Sequence, residues 1–337
     1  MGSRSWLGEF KNEIGIRLQP TLIELKIVVR RVRGDPLSLV GAMIVLFFVA
    51  VSLLTPLIAA PSPGVDPYIC PYDGPTIGEF KIYPPPSPPS SEHPFGTLEG
   101  FDIYYGCVWG TRTAFRIGFL VIFIASALGL FIGCVAGYHG GLVDELLMRF
   151  ADIFFAFPGL LLAIVLVVAL PSVWPVNIGS MSFAVTLSQL DKLVLSLALV
   201  GWPSYARLIR GEIVKVKHED YVEAASAIGC SGTRVLVRHI LPNSMYPVVT
   251  MAFLNFGKIV LLAATLSFLG FGSEKGYADW ATMISYSRSW IVTAPQDPFR
   301  FSYTWAIPSM FIFAFILGWS LLGDALREIA DPTIRRM

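Results

Sequence analysis

The run AFRIGFLVIFIASALGLFIGCVAGY, from Ala114 to Tyr138, contains a single charged residue, Arg116, close to its start. A hydrocarbon core about 30 Å thick needs roughly 20 apolar residues in an α-helix, because each residue rises about 1.5 Å. This run is long enough and apolar enough to cross a bilayer. We therefore expect the fold to be built from membrane-spanning helices.

The composition of the whole chain supports a membrane protein. Of 337 residues, 54% are hydrophobic and 15% are charged, and the mean hydropathy is +0.64, which is too apolar for an ordinary soluble domain. The net charge of +1 and the scattered Lys and Arg residues give no reason to expect nucleic-acid binding. A cleavable signal is not expected, because the first apolar run starts only near Ser38, after a charged segment.

Further apolar runs predict an all-α integral membrane protein with six transmembrane helices. The fourth predicted span is short, because Gly201 and Pro203 interrupt it. In chain order, the spans are expected at Ser38–Ala60, Ala114–Tyr138, Ile153–Leu170, Leu193–Leu208, Tyr246–Phe271 and Tyr303–Leu322.

Lys and Arg are concentrated before the first span, between the fourth and fifth spans, and after the sixth. By the positive-inside rule, these segments face the cytoplasm. The sequence therefore predicts a multi-pass protein of the cell (inner) membrane, with both termini in the cytoplasm. The chain then divides into a cytoplasmic segment (1–37), a first span (38–60), a proline-rich extracytoplasmic loop (61–104) and a transmembrane domain (105–337). Residues 22–31 mix apolar and basic side chains, as an amphipathic helix on the membrane surface does.

Prolines are dense between Pro61 and Pro94, where they lock the backbone and remove N–H donors. We expect extended, polyproline-like chain there and no spanning helix. Cys70 and Cys107 both fall on this oxidising side of the membrane, and two alternatives stand: a disulfide between them, or two unpaired thiols. The four cysteines lack the spacing of a zinc site, so no metal site is predicted.

The connection between the fourth and fifth spans reads GEIVKVKHEDYVEAASAIGCSGTRVLVRHILPNS, from Gly211 to Ser244. It predicts a helix, a glycine turn at Gly229, and a second helix that starts after Ser231 and ends at Pro242. The small residues of the first helix would let another protein dock closely. Alanines also favour helix and pack inside a loop, so both interpretations stand. One predicted helical face carries Tyr221, Ala224, Ala225 and Ile228.

Residues of this loop resemble the EAA loop of binding-protein-dependent ABC importer permeases. The matching residues are Glu223-Ala224-Ala225, Gly229 six positions after the glutamate, and His239-Ile240-Leu241-Pro242-Asn243. From His93 onward the chain is similar to the C-type permease subunit of oligopeptide and dipeptide importers. The wider resemblance rests on His93-Pro94-Phe95-Gly96-Thr97, Gly137-Tyr138-His139-Gly140-Gly141, Gly201-Trp202-Pro203, Leu266-Ser267-Phe268-Leu269-Gly270, Leu322-Gly323-Asp324 and Asp331-Pro332.

The resemblance implies a type I ABC importer transmembrane domain whose loop, residues 211–244, lies in a cleft on a cytoplasmic ATPase. It implies a second related permease subunit, two ATP-binding cassette subunits and an extracytoplasmic substrate-binding protein as partners, besides membrane lipid. ATP and Mg would be used by the ATPase subunits, with no cofactor bound by this chain. Leu241 and Pro242 would anchor the second helix on the bundle, and the coupling contact would be made by Glu223, Ala224, Ala225 and Gly229.

Two other function classes fit less well. The chain has no Gly-x-x-x-x-Gly-Lys-Ser/Thr phosphate loop, so it is not expected to be an enzyme or the ATPase itself. A secondary transporter would show two related halves with paired broken helices, and the sequence shows no such repeat. The cargo that the resemblance favours is a dipeptide or oligopeptide, with oligosaccharide or nickel as alternatives.

Lys258 falls inside the predicted fifth span, where an ionisable group is costly unless it faces protein or water. It is therefore a candidate residue of the translocation pathway. The sequence leaves three roles open: a contact for a substrate carboxylate or hydroxyls, a partner for an acidic group on the other permease, or a side chain that extends to the membrane interface.

Overall fold

A computed structural model describes residues 34–77, 80–178, 181–293, 297 and 299–330. The expected amphipathic segment at 22–31 and the Asp331-Pro332 pair lie outside these residues. Within them the protein is mainly α-helical, which confirms the predicted fold class. The helices are α1 (Pro36–Ile58), α2 (Ile103–His139), α3 (Gly141–Phe155), α4 (Gly159–Ala169), α5 (Gln189–Lys217), α6 (Asp220–Ala227), α7 (Gly232–Val235), α8 (Leu241–Leu266), α9 (Trp280–Thr293) and α10 (Ser302–Ala330).

Four helical stretches among the described residues are long and apolar enough to cross a membrane, or up to five if one bent helix pair counts as a single span. They are α1, α2, the continuous stretch Gly232–Phe271 and Ser302–Ala325 within α10, which coincide with the predicted first, second, fifth and sixth spans. α5 lies at the predicted fourth span but is not among these candidates, so four or five of the six predicted spans are found in the described residues. The expected interruption is wrong, because α5 runs for 29 residues through Gly201 and Pro203; packing around a proline supports a helix that lacks one backbone bond.

The predicted third span is broken and not straight. α3 and α4 meet at an angle of 93°, and Pro158 is the last residue before α4. A proline has no N–H to donate and disfavours the helical conformation of the residue before it, here Phe157. The apolar run at 153–170 therefore comprises the end of α3 and the 11 residues of α4.

The centre of the bundle is the contact between α2 and α5. Gly129, Gly133 and Gly137 lie one turn apart on α2 and face α5. A Cβ added at Gly129 would lie 2.5 Å from the Cβ of Tyr205 and 2.8 Å from the backbone nitrogen of Ala206. Small residues at this spacing let two helix backbones approach closely within a membrane.

Three two-stranded antiparallel hairpins lie outside the helices: β1 (Thr76–Ile77) with β2 (Phe80–Lys81), β3 (Thr97–Leu98) with β4 (Phe101–Asp102), and β5 (Val173–Ile178) with β6 (Met181–Thr186). We call the end of the bundle that carries them the hairpin end. Glu99 and Gly100 form the β3–β4 turn with φ of 53° and 83°, as a two-residue hairpin turn requires. The Glu99 carboxylate is held by Lys275, with 2.5 Å between Oε2 and Nζ.

The proline-rich segment is tied down over the hairpin end. The indole of Trp109 donates a hydrogen bond to the carbonyl of Ala59 (2.9 Å), and the hydroxyl of Tyr105 donates to the carbonyl of Pro67 (2.8 Å). The segment forms no spanning helix in its described part, as the prolines predict. Because it packs against α2, it is an ordered layer and not a free extended chain.

Candidate functional site

The helix α6 lies directly after α5, at the end of the bundle opposite the hairpins. Its buried side chains are Val222, 3% exposed, and Ala225, 7% exposed. Tyr221, Ala224 and Ile228 are exposed on the other side, as is Glu223. The predicted four-residue face is therefore wrong for Ala225, which turns inward because it lies three residues after Val222 on the same side of the helix.

Gly229 ends α6 in the conformation that the sequence predicts. Its φ is 86°, its N–H donates to the carbonyl of Ser226 (3.0 Å), and the N–H of Cys230 donates to the carbonyl of Ala225 (3.2 Å). These two bonds define a Schellman motif. No atom lies within 4 Å of the position that a Cβ would take, so glycine is required here by conformation and not by space. Ser231 occupies the next N-cap, as predicted, without a side-chain capping bond.

The second helix of the loop does not end at Pro242. α7 passes through one π-helical turn, Leu236–Ile240, into α8, and the N–H of Leu241 donates to the carbonyl of Leu236. This wider turn places Pro242 in the first turn of α8, where its missing N–H needs no partner. The helix is therefore continuous from the loop into the membrane.

The residues that fix the second helix lie next to the predicted pair. Ile240 and Ser244 are fully buried, with 0% exposure, and the hydroxyl of Ser244 donates to the carbonyl of Ile240 (2.9 Å). Leu241 is half-buried and Pro242 is exposed. Packing on the bundle is therefore carried mainly by Ile240 and Ser244, with Leu241 at the edge.

The last turn of α2 supports the loop, which the sequence did not indicate. The ammonium of Lys217, at the end of α5, donates to the carbonyl of Tyr138 (2.9 Å). The hydroxyl of Tyr138 lies against Gly232, where any side chain would collide with it. Tyr138 therefore contacts both ends of the loop, before α6 and after it.

Ion pairs join α3 to α5 beside the loop. The guanidinium of Arg210 binds both carboxylate oxygens of Asp144, with Nε at 3.0 and 3.2 Å, and Arg207 pairs with Asp152. Asp144 is largely buried, with its side chain 14% exposed, whereas the Arg207 pair is open to solvent. These carboxylates thus serve as structural partners of arginines at the membrane edge.

Lys258 lies in α8 on the wall of a cleft of about 430 Å³. The cleft is bounded by α2, the α3–α4 break, α5 and α8. The lysine is exposed within the cleft and is flanked by Asn255 and Ile259. Its side chain therefore borders this open cleft and lies away from the ends of the helix.

Cys70 and Cys107 are both buried, with 4% and 0% exposure, and both are free thiols. Burial raises the pKa of the Cys70 thiol to about 12, so that it is protonated near neutral pH and unreactive. The choice between a disulfide and two unpaired thiols stays a prediction for chemical labelling. In the part of the chain that the structure describes, no three His, Cys, Asp or Glu side chains are grouped as metal ligands.

Comparison with known proteins places this chain in a family. Residues 129–336, more than half of the chain, match the model of the binding-protein-dependent transport system inner membrane component. The chain is 32% identical to the dipeptide transport system permease protein DppC of Alkalihalophilus pseudofirmus over 91% of this chain and 89% of that protein. It is 33% identical to the glutathione transport system permease protein GsiD of Pectobacterium atrosepticum over 80% of this chain and 81% of that protein.

One solved structure, an amino acid ABC transporter with histidines, aligns with 69% of this chain and 94% of its own at 17% identity and a TM-score of 0.43, which is too low to support an argument. The family model and the two relatives do not depend on that alignment. By them, the chain belongs to the inner membrane components of binding-protein-dependent transport systems and is a multi-pass permease subunit of an ABC importer.

Proposed function

We propose that this permease forms half of a peptide translocation pathway and is driven through α6 by an ATPase that binds ATP and Mg. The observation that carries the proposal is the shape of α6, which presents small and apolar side chains outward while two others fix it to the bundle. Tyr221 and Ile228 flank Ala224 on the exposed side, with Ile228 81% exposed. Exposed apolar groups around a small residue suit a protein contact, since small residues permit close approach of another backbone.

The coupling contact is made by Glu223, Ala224 and Gly229, with Ala225 acting from the inner side. Glu223 lies in the first turn of α6, where a negative charge is favourable near a helix N-terminus. Ala225 and Val222 hold α6 on the bundle, so that the helix moves as one body. Motion at α6 passes through the turn at Gly229 into α8, because the second helix of the loop is continuous from Gly232 to Leu266.

The complete importer contains a second related permease, two ATP-binding subunits and an external binding protein. Hydrolysis of ATP takes place on the ATP-binding subunits, and this chain is not catalytic. The α6 end of the bundle faces the cytoplasm, together with both termini, as the distribution of Lys and Arg predicts. The hairpin end then faces the external binding protein.

Peptides are the proposed cargo. The names of two relatives specify a dipeptide and glutathione, which is itself a peptide. Oligosaccharide remains the runner-up and nickel the third candidate. Lys258 belongs to the pathway in this proposal, since it borders a cleft at the depth of the membrane-spanning helices.

Crosslinking tests the coupling contact. Ala224→Cys, with Cys230 replaced by Ser, should crosslink to the ATP-binding subunit through a short bismaleimide in the assembled importer. The matched control is Val65→Cys, which is 51% exposed at the hairpin end and should give no such product. Crosslinking at both positions, or at Val65 alone, would contradict the assignment of α6.

The energy source is tested with the reconstituted importer. Peptide uptake should require hydrolysable ATP inside the vesicle and should persist when ion gradients are collapsed. Uptake that follows an ion gradient and ignores ATP would point to a secondary transporter. Competition with unlabelled peptide, oligosaccharide or nickel identifies the cargo.

A further inference from the structure

The cleft beside Lys258 is mostly apolar, with a few polar groups contributed by α5 and α8. Such a composition is typical of small-molecule sites, and its volume of about 430 Å³ falls within the usual range for them. Part of the apolar wall comes from three aromatic side chains at the α3–α4 break, Phe154, Phe155 and Phe157. The break in the predicted third span thus supplies one wall of the cleft.

The polar groups of the cleft can all donate hydrogen bonds. They are Lys258, Asn255, Ser204 and Tyr205, and no acidic residue lines the cleft. Tyr205 is 2% exposed; its buried hydroxyl lies near the side chain of Asn255 but makes no well-formed hydrogen bond to any described residue. A buried hydroxyl without a partner is costly, and this one belongs to a residue of the cleft wall.

Lys258 differs from the cations packed between the same helices. Arg116, Arg207 and Arg210 each pair with an aspartate. In the described part of the chain no acidic side chain lies within ion-pair distance of Lys258. A cation inside a membrane helix needs a counter-charge or water, and the cleft is where either would be found.

The cleft lies within the membrane, between two polar levels of the bundle. At the hairpin end, Arg116 of α2 pairs with Asp191 of α5, and at the α6 end Tyr138 of α2 accepts from Lys217 of α5. The 22 residues from 116 to 138 on α2 rise about 33 Å, close to the thickness of the hydrocarbon core. Val121 and Ala125 of α2, which line the cleft, fall between these levels.

We propose that this cleft binds the carboxylate of the cargo, with Lys258 as the charged partner and Tyr205, Asn255 and Ser204 as hydrogen-bond donors. This inference rests on the proposed function and adds the chemical group that the pathway recognises. A carboxylate accepts several hydrogen bonds and neutralises the lysine. The three phenylalanines then contact the apolar part of the peptide.

The test compares two peptides that differ only in the carboxyl group: dialanine and dialanine amide. Uptake is measured in liposomes with the complete importer, each peptide being supplied with saturating external binding protein. The measured quantity is the ratio of the two uptake rates. Any preference of the binding protein cancels when the ratio of a variant is divided by the ratio of the wild type.

Lys258→Met should lower the preference for the free carboxylate about tenfold or more, because a hydrogen bond to a charged group is lost. Lys258→Arg, which keeps the charge, should retain most of the preference. Tyr205→Phe should lower it a few-fold without leaving a cavity. Tyr303→Phe is the matched control, since the Tyr303 hydroxyl is also buried without a partner but lies outside the cleft, and it should leave the ratio unchanged.

Several results would overturn the carboxylate site. One is a wild-type importer that moves both peptides equally well. Another is a Lys258→Met variant that slows both to the same extent, as expected if the lysine pairs with an acidic group of the second permease. Failure of the wild type to import peptide with ATP would instead refute the proposed function, so the two failures are distinguishable.

Discussion

Replacement of Gly229 tests whether the shape of the loop is what transmits motion. Its φ of 86° lies in the left-handed region, where a residue with a Cβ costs about 1–2 kcal/mol. Since nothing lies within 4 Å of the Cβ position, Gly229→Ala adds no clash, and this conformational cost is the whole effect. It lowers the population of the native loop about 5- to 30-fold relative to any competing conformation.

The matched control is Gly211→Ala. Gly211 also has open space around its Cβ position, but it lies within α5, where alanine is favoured by about 0.5–1 kcal/mol. In reconstituted importers we expect Gly229→Ala to reduce peptide uptake per ATP hydrolysed, Gly229→Asn to reduce it less because Asn tolerates this region, and Gly211→Ala to leave it unchanged. Equal effects of Gly229→Ala and Gly211→Ala would refute the reasoning.

Three further predictions concern the supports of the loop and the thiols. Lys217→Met removes the bond to the Tyr138 carbonyl and should cost about 1 kcal/mol of unfolding free energy, seen as a lower melting temperature in detergent than for the exposed control Lys215→Met. Asp144→Asn leaves Arg210 without its anion and should cost about 1–2 kcal/mol; adding Arg210→Gln should not cost a further equal amount, and full additivity would contradict the pair. Because burial raises the pKa of Cys70 to about 12, iodoacetamide at pH 8 should label it only after denaturation, whether or not a reductant is present. A thiol that appears only after reduction would indicate a disulfide instead.

The spans were predictable to the extent that hydrophobicity alone decides them. α1 and α10 lie where the apolar runs predict them, because lipid exposure selects apolar residues directly. The bend at Pro158 and the unbroken course of α5 through Pro203 were not predictable in the same way. Both are proline positions, and packing around each one decides whether a helix ends there. The helix α9 went unpredicted because its 14 residues are too few and too polar to read as a span.

The local geometry of the loop was predictable, but its contacts were not. Gly229 follows from a rule that involves a few neighbouring residues, the need for positive φ after a helix. The inward turn of Ala225 depends on which side of α6 meets the bundle, and four nearby small residues look alike in sequence. The support from Tyr138 joins residues that are far apart in the chain, and no local pattern reports it.

The cleft, too, was predictable from the sequence only in part. Lys258 was identifiable because a charge within an apolar run is conspicuous. Asn255 lies three residues before the lysine on the same helix, whereas Tyr205 is an ordinary residue of another apolar segment that only the packing of α5 against α8 brings beside Lys258. The α2–α5 contact does have a signal in the sequence. The glycines at 129, 133 and 137 recur every four residues, a spacing that favours close helix packing.

The helix that runs from Gly232 to Leu266 joins the loop directly to the membrane part of the permease. Lys258 lies 26 residues beyond Gly232, a distance of about 39 Å along the helix axis. If the loop is coupled to the ATPase as proposed, a tilt of about 10° at the Gly232 end would move the lysine sideways by about 7 Å. The π-helical turn at Leu236–Ile240 is the place where this helix can bend. The stiffness of that turn determines how much of the movement at the loop reaches Lys258 and the cargo.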